Sequence, residues 1–557
     1  MLAHCPRRAE SSETPDTLCE TANPFEVVEL TELLANALDL ELAWKRVLWD
    51  HADGRTFFVP PFLRQVIADD LESWLDDVRL AVQADAYQPS ALRTLEVPKP
   101  RGAIRPGCVL TLRDHTVYSA LLQCCRPEVQ DELAWGDPPP DFAYRFHDDV
   151  QDASWFKPFF SHWRAFDKQS IEALNNGAQW VVTADVAGYY ELIDLHLLRS
   201  DLRALDVDKE VLNLLFRCLH RWSETEKRGV PQGHSPSDIL AKLYLNSVDR
   251  SLRAAGFIHY RWVDDFRIFA ENRAEARRAL LLLTGLLRSK GLVLQSTKTR
   301  ILHADEARPK FRGIHAVIEP IRDRVEAQIL QLLDGAELSL TTAQIDRYLS
   351  QRAGADSLPV LEEAYRAHVQ NCEFFDKTAF RFLLNRLGSA GSEFAWRHAM
   401  DQFVDRPEET GAALEYARRL DRVADAESAL VAFLQSEDCV YDYQVYQALS
   451  WRMSIEGAPS EEFMGFVRRV VFGGQAPWYV RAVAMAIIGK CGSPADLERL
   501  ISTYGHAGSE DQRVGIIAAS TRFERGRRNA FLGHASGDGE MCAGAARLVR
   551  AEEIRWE

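Results

Sequence analysis

The stretch HYRWVDDFRIFA, residues 259–270, sets two carboxylates side by side between short aromatic and β-branched runs. Adjacent like charges repel and cost solvation when covered, so the pair needs either open water or a cation. A further acid, Asp185, ends the strand-like run QWVVTADV at 179–186. If that strand neighbours the 259–270 hairpin, Asp185 and Asp264 converge, because paired strands lie about 4.8 Å apart. Carboxylates gathered this way need a partner, and their hard oxygens suit Mg²⁺ or Mn²⁺. Two such ions, roughly 3.5–4 Å apart, clamp the attacking and leaving oxygens during phosphoryl or nucleotidyl transfer. Between the acids lies GVPQGHSPSDILAKLYL, 229–245. Its Gly229, Pro231 and Gly233 make a tight turn where backbone can approach a flat ligand, and Gln232 could touch a base or sugar from there.

A bare Asp-Asp pair is weak ground. The chain has four, at 69–70, 76–77, 148–149 and 264–265, and a solvated turn or helix face is the default for each. The last pair is set apart by the elements that carry it. Ser235 is expected to cap a helix with Pro236 in its first turn, running through DILAKLYLNSVDRSLRAAG to a stop at Gly256. The hairpin follows, and then Asn272 and Glu275 form a capping box for a helix closed by Gly291. A short strand, LVLQ, comes next. The order strand, helix, hairpin, helix, strand is a split βαβ arrangement, with helices over one face of an antiparallel sheet and the open face left for a site.

At 557 residues the chain should hold two to four domains, and its 46% hydrophobic content supports packed cores throughout. No apolar run reaches membrane-spanning length. The first 24 residues read as a polar tail without the apolar centre of a signal peptide, and 25–90 as an amphipathic helical segment broken by FFVPPF. Ten scattered cysteines without a C-x-x-C fit reduced thiols and a cytoplasmic setting. A net charge of −16 argues against non-specific coating of nucleic acid but leaves room for a local basic groove. One basic stretch is VPKPRGAIRP, with Lys99, Arg101 and Arg105. Another is KTRILHADEARPKFRG, with Lys298, Arg300, Arg308, Lys310 and Arg312. Beyond about residue 320 strand signals vanish. WYVRAVAMAIIGKCGSPADLERLISTYG and DQRVGIIAASTRFERGRRNAFLGHA resemble each other, with Arg481 and Arg513 in like positions. That spacing is near the range of paired-helix repeats.

Residues 91–315 resemble a prokaryotic reverse transcriptase of the group that includes group II intron and retron enzymes. The resemblance rests on ordered blocks: VPKPRGAIRPGCVLTLRDHTVYSALL with FAYRF after it, ADVAGYYELID, GVPQGHSPSDILAKLYL, YRWVDDF (Trp262 standing where tyrosine is usual), QSTKTRIL and KFRGI. It implies an α+β right-hand polymerase, with fingers and palm over 91–318 and an all-α, HEAT-like helical domain over 319–557. It implies that Asp185, Asp264 and Asp265 hold catalytic Mg²⁺ or Mn²⁺ with the carbonyl of Val186. Lys99 and Arg105 would grip the triphosphate of a dNTP, and Gln232 and Gly233 would lie against the template base or incoming sugar. Lys298 would act as general acid for pyrophosphate departure. Tyr190, five residues after the first aspartate, would exclude a ribose 2′-hydroxyl by steric conflict. Asp194 is read as a capping or surface residue.

The helical domain in place of a zinc nuclease or basic tail resembles the abortive-infection and other defence-associated reverse transcriptases. In parts of that group synthesis starts from a protein hydroxyl, runs with little or no template, and occurs within homo-oligomers. The tyrosine cluster CVYDYQVYQ (Tyr441, Tyr443, Tyr446) is read first as packing. The competing readings are a group II-like or retron-like polymerase copying a specific RNA, which predicts a basic C-terminal surface, and an idle nucleic-acid-binding scaffold. Partners on the favoured reading are dNTPs, an RNA template or associated non-coding RNA, and nascent DNA, with no membrane.

Overall fold

The computed structural model describes residues 32–223, 227–312, 358–371 and 375–556. The expected polar tail, the boundary at 318–319 and the end of the KFRGI block lie outside them. The described part is α+β and mostly helical, and no described helix is long and apolar enough to cross a membrane.

Two sheets carry the strands. β1 (Arg93–Pro98) and β2 (Ile104–Val109) form an antiparallel hairpin. β3 (Trp180–Asp185), β4 (Ile258–Trp262), β5 (Asp265–Ala270) and β6 (Arg300–His303) form an antiparallel sheet in the order β4-β5-β3-β6. Thus β3, the first of the four in sequence, sits inside the sheet beside β5, as the split βαβ pattern requires.

Three local expectations change. The last strand comes from RILH, because LVLQ contributes only a single bridge, Leu294 to Val186. The helix after Gly233 is two helices, Ser235–Tyr244 and Asn246–Ala254, with Leu245 between them. Ser235 is not a cap. His234 holds the cap position, while the Ser235 hydroxyl donates to Asp50 Oδ1 at 2.6 Å.

The sheet has no open face at its centre. Arg267 on β5 bonds Asp167 and Ser170 of helix Phe159–Asn175 and stacks on Phe166 and Phe311. Its neighbour Ile268 points the other way and is fully buried, and helix Arg273–Ser289 also packs on β3 and β5. A site can therefore form only where the strands end.

In the C-terminal part, helices Lys377–Ser389, Thr410–Arg419, Asp442–Met453, Trp478–Cys491, Glu510–Ala519 and Glu540–Ala551 stack each on the next. Helices Trp396–Asp405, Val423–Leu434 and Glu461–Phe472 make a second row. The two similar segments noted in the sequence fold as successive helix pairs, Trp478–Cys491 with Pro494–Ser502, then Glu510–Ala519 with Arg525–Ala535. The row curls back so that Glu540–Ala551 packs on Leu63–Asp69, while Asp442–Met453 touches β1.

Candidate active site

β3 and β5 pair in a register that sets Asp185 opposite Asp265, and β4 pairs Trp262 with Asp265. Val263 and Asp264 are left as a two-residue turn. Val263, buried and β-branched, is held in the left-handed region at φ 55°. Such backbone costs of order 1–3 kcal/mol and needs outside support. The support comes from Arg261, whose Nη1 donates to the Val263 carbonyl at 2.7 Å while its other nitrogens bind Asp249. Asp141 completes the pairing of this fully buried guanidinium. One charged, rigid side chain thus fixes the turn that presents Asp264.

The carboxyls crowd one another. Loss of solvent, then the charge of Asp185, pushes Asp264 up to about 6. Asp265, at the outer edge of the group, is pushed up to about 7 by loss of solvent, then by Asp264 and Asp185, to which it is also hydrogen-bonded. Lys298 Nζ sits 2.7 Å from Asp185 Oδ2. Burial pulls this ammonium down, but the hydrogen bond and charge of Asp185, then Asp265 and Asp264, outweigh it and hold its pKa up.

Lys99 lies in the turn of the β1–β2 hairpin and Arg105 on β2. Burial and then Arg105 pull Lys99 down, opposed by Glu191 and Asp264, with Lys298 also in reach. The tip of this hairpin therefore lies within reach of the charge on Asp264. Lys377, at the start of a C-terminal helix, joins the same field. It is lowered by burial, then by Arg381 and Arg105, with Lys298 adding to the effect. Nothing in the sequence near Lys377 signalled this, because the approach depends on how the helical row folds back.

Gly229 and Gly233 have φ 98° and 99°, so the turn between them needs glycine. Gln232 is half-buried beside it. Phe57, from the FFVPPF stretch, fills the hollow that glycine leaves: a Cβ at Gly233 would lie 2.7 Å from the Phe57 ring. Tyr190 follows the Gly188 turn in the one-turn helix Tyr189–Leu192, and its carbonyl accepts from Val230 N at 3.0 Å. Its hydroxyl donates to Asp238 Oδ1 at 2.5 Å. Asp194 accepts from the backbone of His196 and Leu197, the expected cap.

The donor set fits hard divalent cations: carboxylates from two strand ends, with a main-chain carbonyl beside them. The bonds Gln295 N to Asp185 O and Ala187 N to Val293 O flank Val186 and use neither its N–H nor its carbonyl. Among the described residues no three ligating side chains already converge on one point. The Lys298 ammonium occupies Asp185 instead, a cation where the acids call for one.

Comparison with known proteins bears on this segment. A family model described as reverse transcriptase (RNA-dependent DNA polymerase) matches residues 97–337. Protein YkfC of Escherichia coli (strain K12) is 25% identical over 178 residues, 30% of this chain and 42% of that protein, so the match spans less than half of the relative. Among solved structures, telomerase from Candida albicans in complex with a TWJ fragment of telomeric RNA shows 12% identity and a TM-score of 0.31, covering 69% of this chain and 68% of that one. The Candida tropicalis telomerase complex gives 12% and 0.31, covering 80% and 64%. Those superpositions are too loose to speak for fold or function. The family match and the ordered motifs coincide on the same stretch, so residues 97–337 carry a reverse transcriptase domain.

Proposed function

We propose that the chain is a divalent-metal-dependent DNA polymerase that transfers nucleotides from dNTPs to a hydroxyl end and serves bacterial anti-phage defence. One observation supports the polymerase reading: Asp185 and Asp265 face each other across β3 and β5, Asp264 sits in the adjoining turn, and the charges of Lys99 and Arg105 act on Asp264. Mg²⁺ or Mn²⁺ bound there by the three aspartates and the Val186 carbonyl would supply Lewis acidity and charge neutralisation. The chain's own residues do the rest. Lys99 and Arg105 hold the phosphates, as a point charge and a planar fork suit. Lys298, kept protonated by the acids, is placed to give a proton to departing pyrophosphate. Tyr190 closes off the 2′ side of the sugar, and Gln232 and Gly233 present an edge to the template base. Primer extension with wild type and Asp264→Asn, in Mg²⁺ and in Mn²⁺, tests this. Equal incorporation by both proteins would end the reading.

The defence role draws on the sequence resemblance and on the stacked, repeat-like helical row that stands where other branches carry nuclease or maturase segments. On this reading the protein works in the cytoplasm, as a homo-oligomer with bound RNA and nascent DNA. Plaque counts on cells carrying wild type or Asp264→Asn test the role, with identical counts counting against it. A second reading, synthesis begun on a protein hydroxyl, is favoured by one contact: a Cβ at Gly102, in the same hairpin turn as Lys99, would meet Tyr441 Oη at 4.0 Å. Tyr446 is buried packing, as the sequence suggested. Intact mass after incubation with dNTPs should show added nucleotides on wild type and none on Tyr441→Phe.

A further inference from the structure

Tyr190 does not stand alone. Its hydroxyl donates to Asp238 Oδ1 at 2.5 Å, and the other carboxylate oxygen takes Arg55 Nη1 at 2.8 Å. The Tyr144 hydroxyl joins the same network, bonded to both Tyr190 and Asp238. Arg55 is itself seated by Asp53 at 3.2 Å and by the rings of Phe156 and Tyr144. Asp238 and Arg55 are separated by 183 positions in the chain, and neither belongs to the metal-binding set.

A buried ion pair is weak support for stability, since a packed apolar replacement often serves as well or better. What a fully partnered buried network provides is a fixed geometry. The ring it fixes is packed in the core, edge to face with Tyr189 at 5.7 Å. It is carried, however, by Tyr189–Leu192, a helix of a single turn beginning at a glycine with φ 54°, so the hydroxyl bond is what sets its orientation. The same short segment also reaches the neighbouring turn: a Cβ at Gly233 would meet the Arg55 carbonyl oxygen at 3.4 Å and the Phe57 ring closer still. Residues 55–57 are therefore linked to Tyr190 through Asp238 and lie directly against the turn at Gly233.

We propose that Arg55 and Asp238 are positioning residues for nucleotide selection: ion-paired, they anchor the Tyr190 hydroxyl so that its ring stands as a fixed wall against the 2′ position of the incoming sugar. This rests on the reading that residue 190 faces that sugar. When the anchor is cut, the ring gains rotamers that leave room for a ribose hydroxyl, and discrimination falls while the ring is still present.

The test is single-nucleotide incorporation with one dNTP and its matching rNTP, comparing the ratio of their kcat/KM values. Both substrates are measured on one preparation, so a variant that folds poorly loses both alike and leaves the ratio unmoved. Tyr190→Ala should lower the dNTP preference most. Tyr190→Phe, Asp238→Asn and Arg55→Met should each lower it by roughly tenfold, the scale of one lost charge-assisted hydrogen bond. Arg55→Lys should recover part of the preference. The double variant Tyr190→Phe/Asp238→Asn should match the single ones, because both cut the same link. If Tyr190→Ala lowers the ratio and the other variants do not, the anchor proposal fails and the reading of residue 190 stands. If Tyr190→Ala also leaves it unchanged, both fail.

Discussion

The contact between Phe57 and Gly233 makes a prediction that separates backbone strain from steric conflict. In Gly233→Ala the new Cβ would lie 2.7 and 2.8 Å from two carbons of the Phe57 ring, where ordinary contact begins near 3.4 Å. The ring also packs closely against Gly107 on β2, where a Cβ would meet it at 2.9 Å, so it has little free space beside it. Overpacking of this kind costs about 1–3 kcal/mol, and an alanine at φ 99° adds about 1–3 kcal/mol of backbone strain. Phe57→Ala alone loses the packing of a half-buried ring, about 2 kcal/mol. In the double variant the steric part disappears and the backbone part remains. The double-mutant cycle should therefore show a favourable coupling of about 1–3 kcal/mol in urea denaturation. Primer extension should be largely lost in Gly233→Ala and partly restored by Phe57→Ala. Gly107→Ala serves as the control: it meets Leu95 at 2.7 Å as well as Phe57, without a positive φ, so Phe57→Ala should relieve only part of its cost. Additive effects, within about 0.5 kcal/mol, would refute the argument, because they would mean that the ring does not fill the hollow at Gly233.

Three further outcomes can be measured. His51 is held down to about 3 by burial, then by His115 and Arg64. Because the unfolded chain takes up a proton near pH 6.5 that the folded one refuses, stability should fall by about 2 kcal/mol from pH 7 to pH 5 on this residue's account. Urea midpoints should show a smaller loss for His51→Gln, and equal pH slopes would exclude the effect. Arg93 pairs with Asp511 at 2.8 Å and stacks on Trp478 at 3.9 Å; Arg93→Ala should loosen the helical row from the β1–β2 hairpin, read as faster limited proteolysis, and unchanged cleavage would count against it. Lys298→Ala should slow extension by about 10²-fold or more if the ammonium donates the proton, the scale of general acid catalysis, with Lys298→Arg recovering little, and an unchanged rate would leave Lys298 only an ion-pair partner.

The features legible in the sequence were those written in neighbouring residues. Aromatic and β-branched runs marked β3, β4 and β5, and Asn272 accepting from Glu275 N matches the expected cap, although the Glu275 side chain reaches back to Glu271 N rather than to Asn272. The readings that changed depend on distant partners. Ser235 looks like a cap until Asp50, 185 positions away, takes its hydroxyl. The break at Leu245 has no glycine or proline to announce it; Asn246 turns aside to bond Glu132 and Trp135. Arg261 reads as an ordinary strand residue, and only its burial against Asp141 and Asp249 reveals that it secures the turn at Val263. Local pattern fixes which side chains an element presents, while long-range pairing decides what they meet.

The FFVPPF stretch shows how this bears on the domain arrangement. It reads as an interruption between helices, yet its residues divide between the two halves of the molecule. Phe57 sits beneath the Gly233 turn and against Gly107 on β2. Phe58 packs on Tyr446 and Trp478, and the Val59 N–H donates to the Tyr446 hydroxyl at 3.2 Å. Phe62 meets Trp556 edge to face at 5.1 Å. Large rings carry most of the apolar area that such a joint buries, and the prolines at 60 and 61 limit the backbone freedom of the segment that carries them. A shift of the helical row relative to the hairpin must therefore drag Phe58, and through two bonded residues Phe57, away from the turn at Gly233. The C-terminal helical row acts on this geometry as a strut for the turn at Gly233, which gives a physical reason for one chain to carry both.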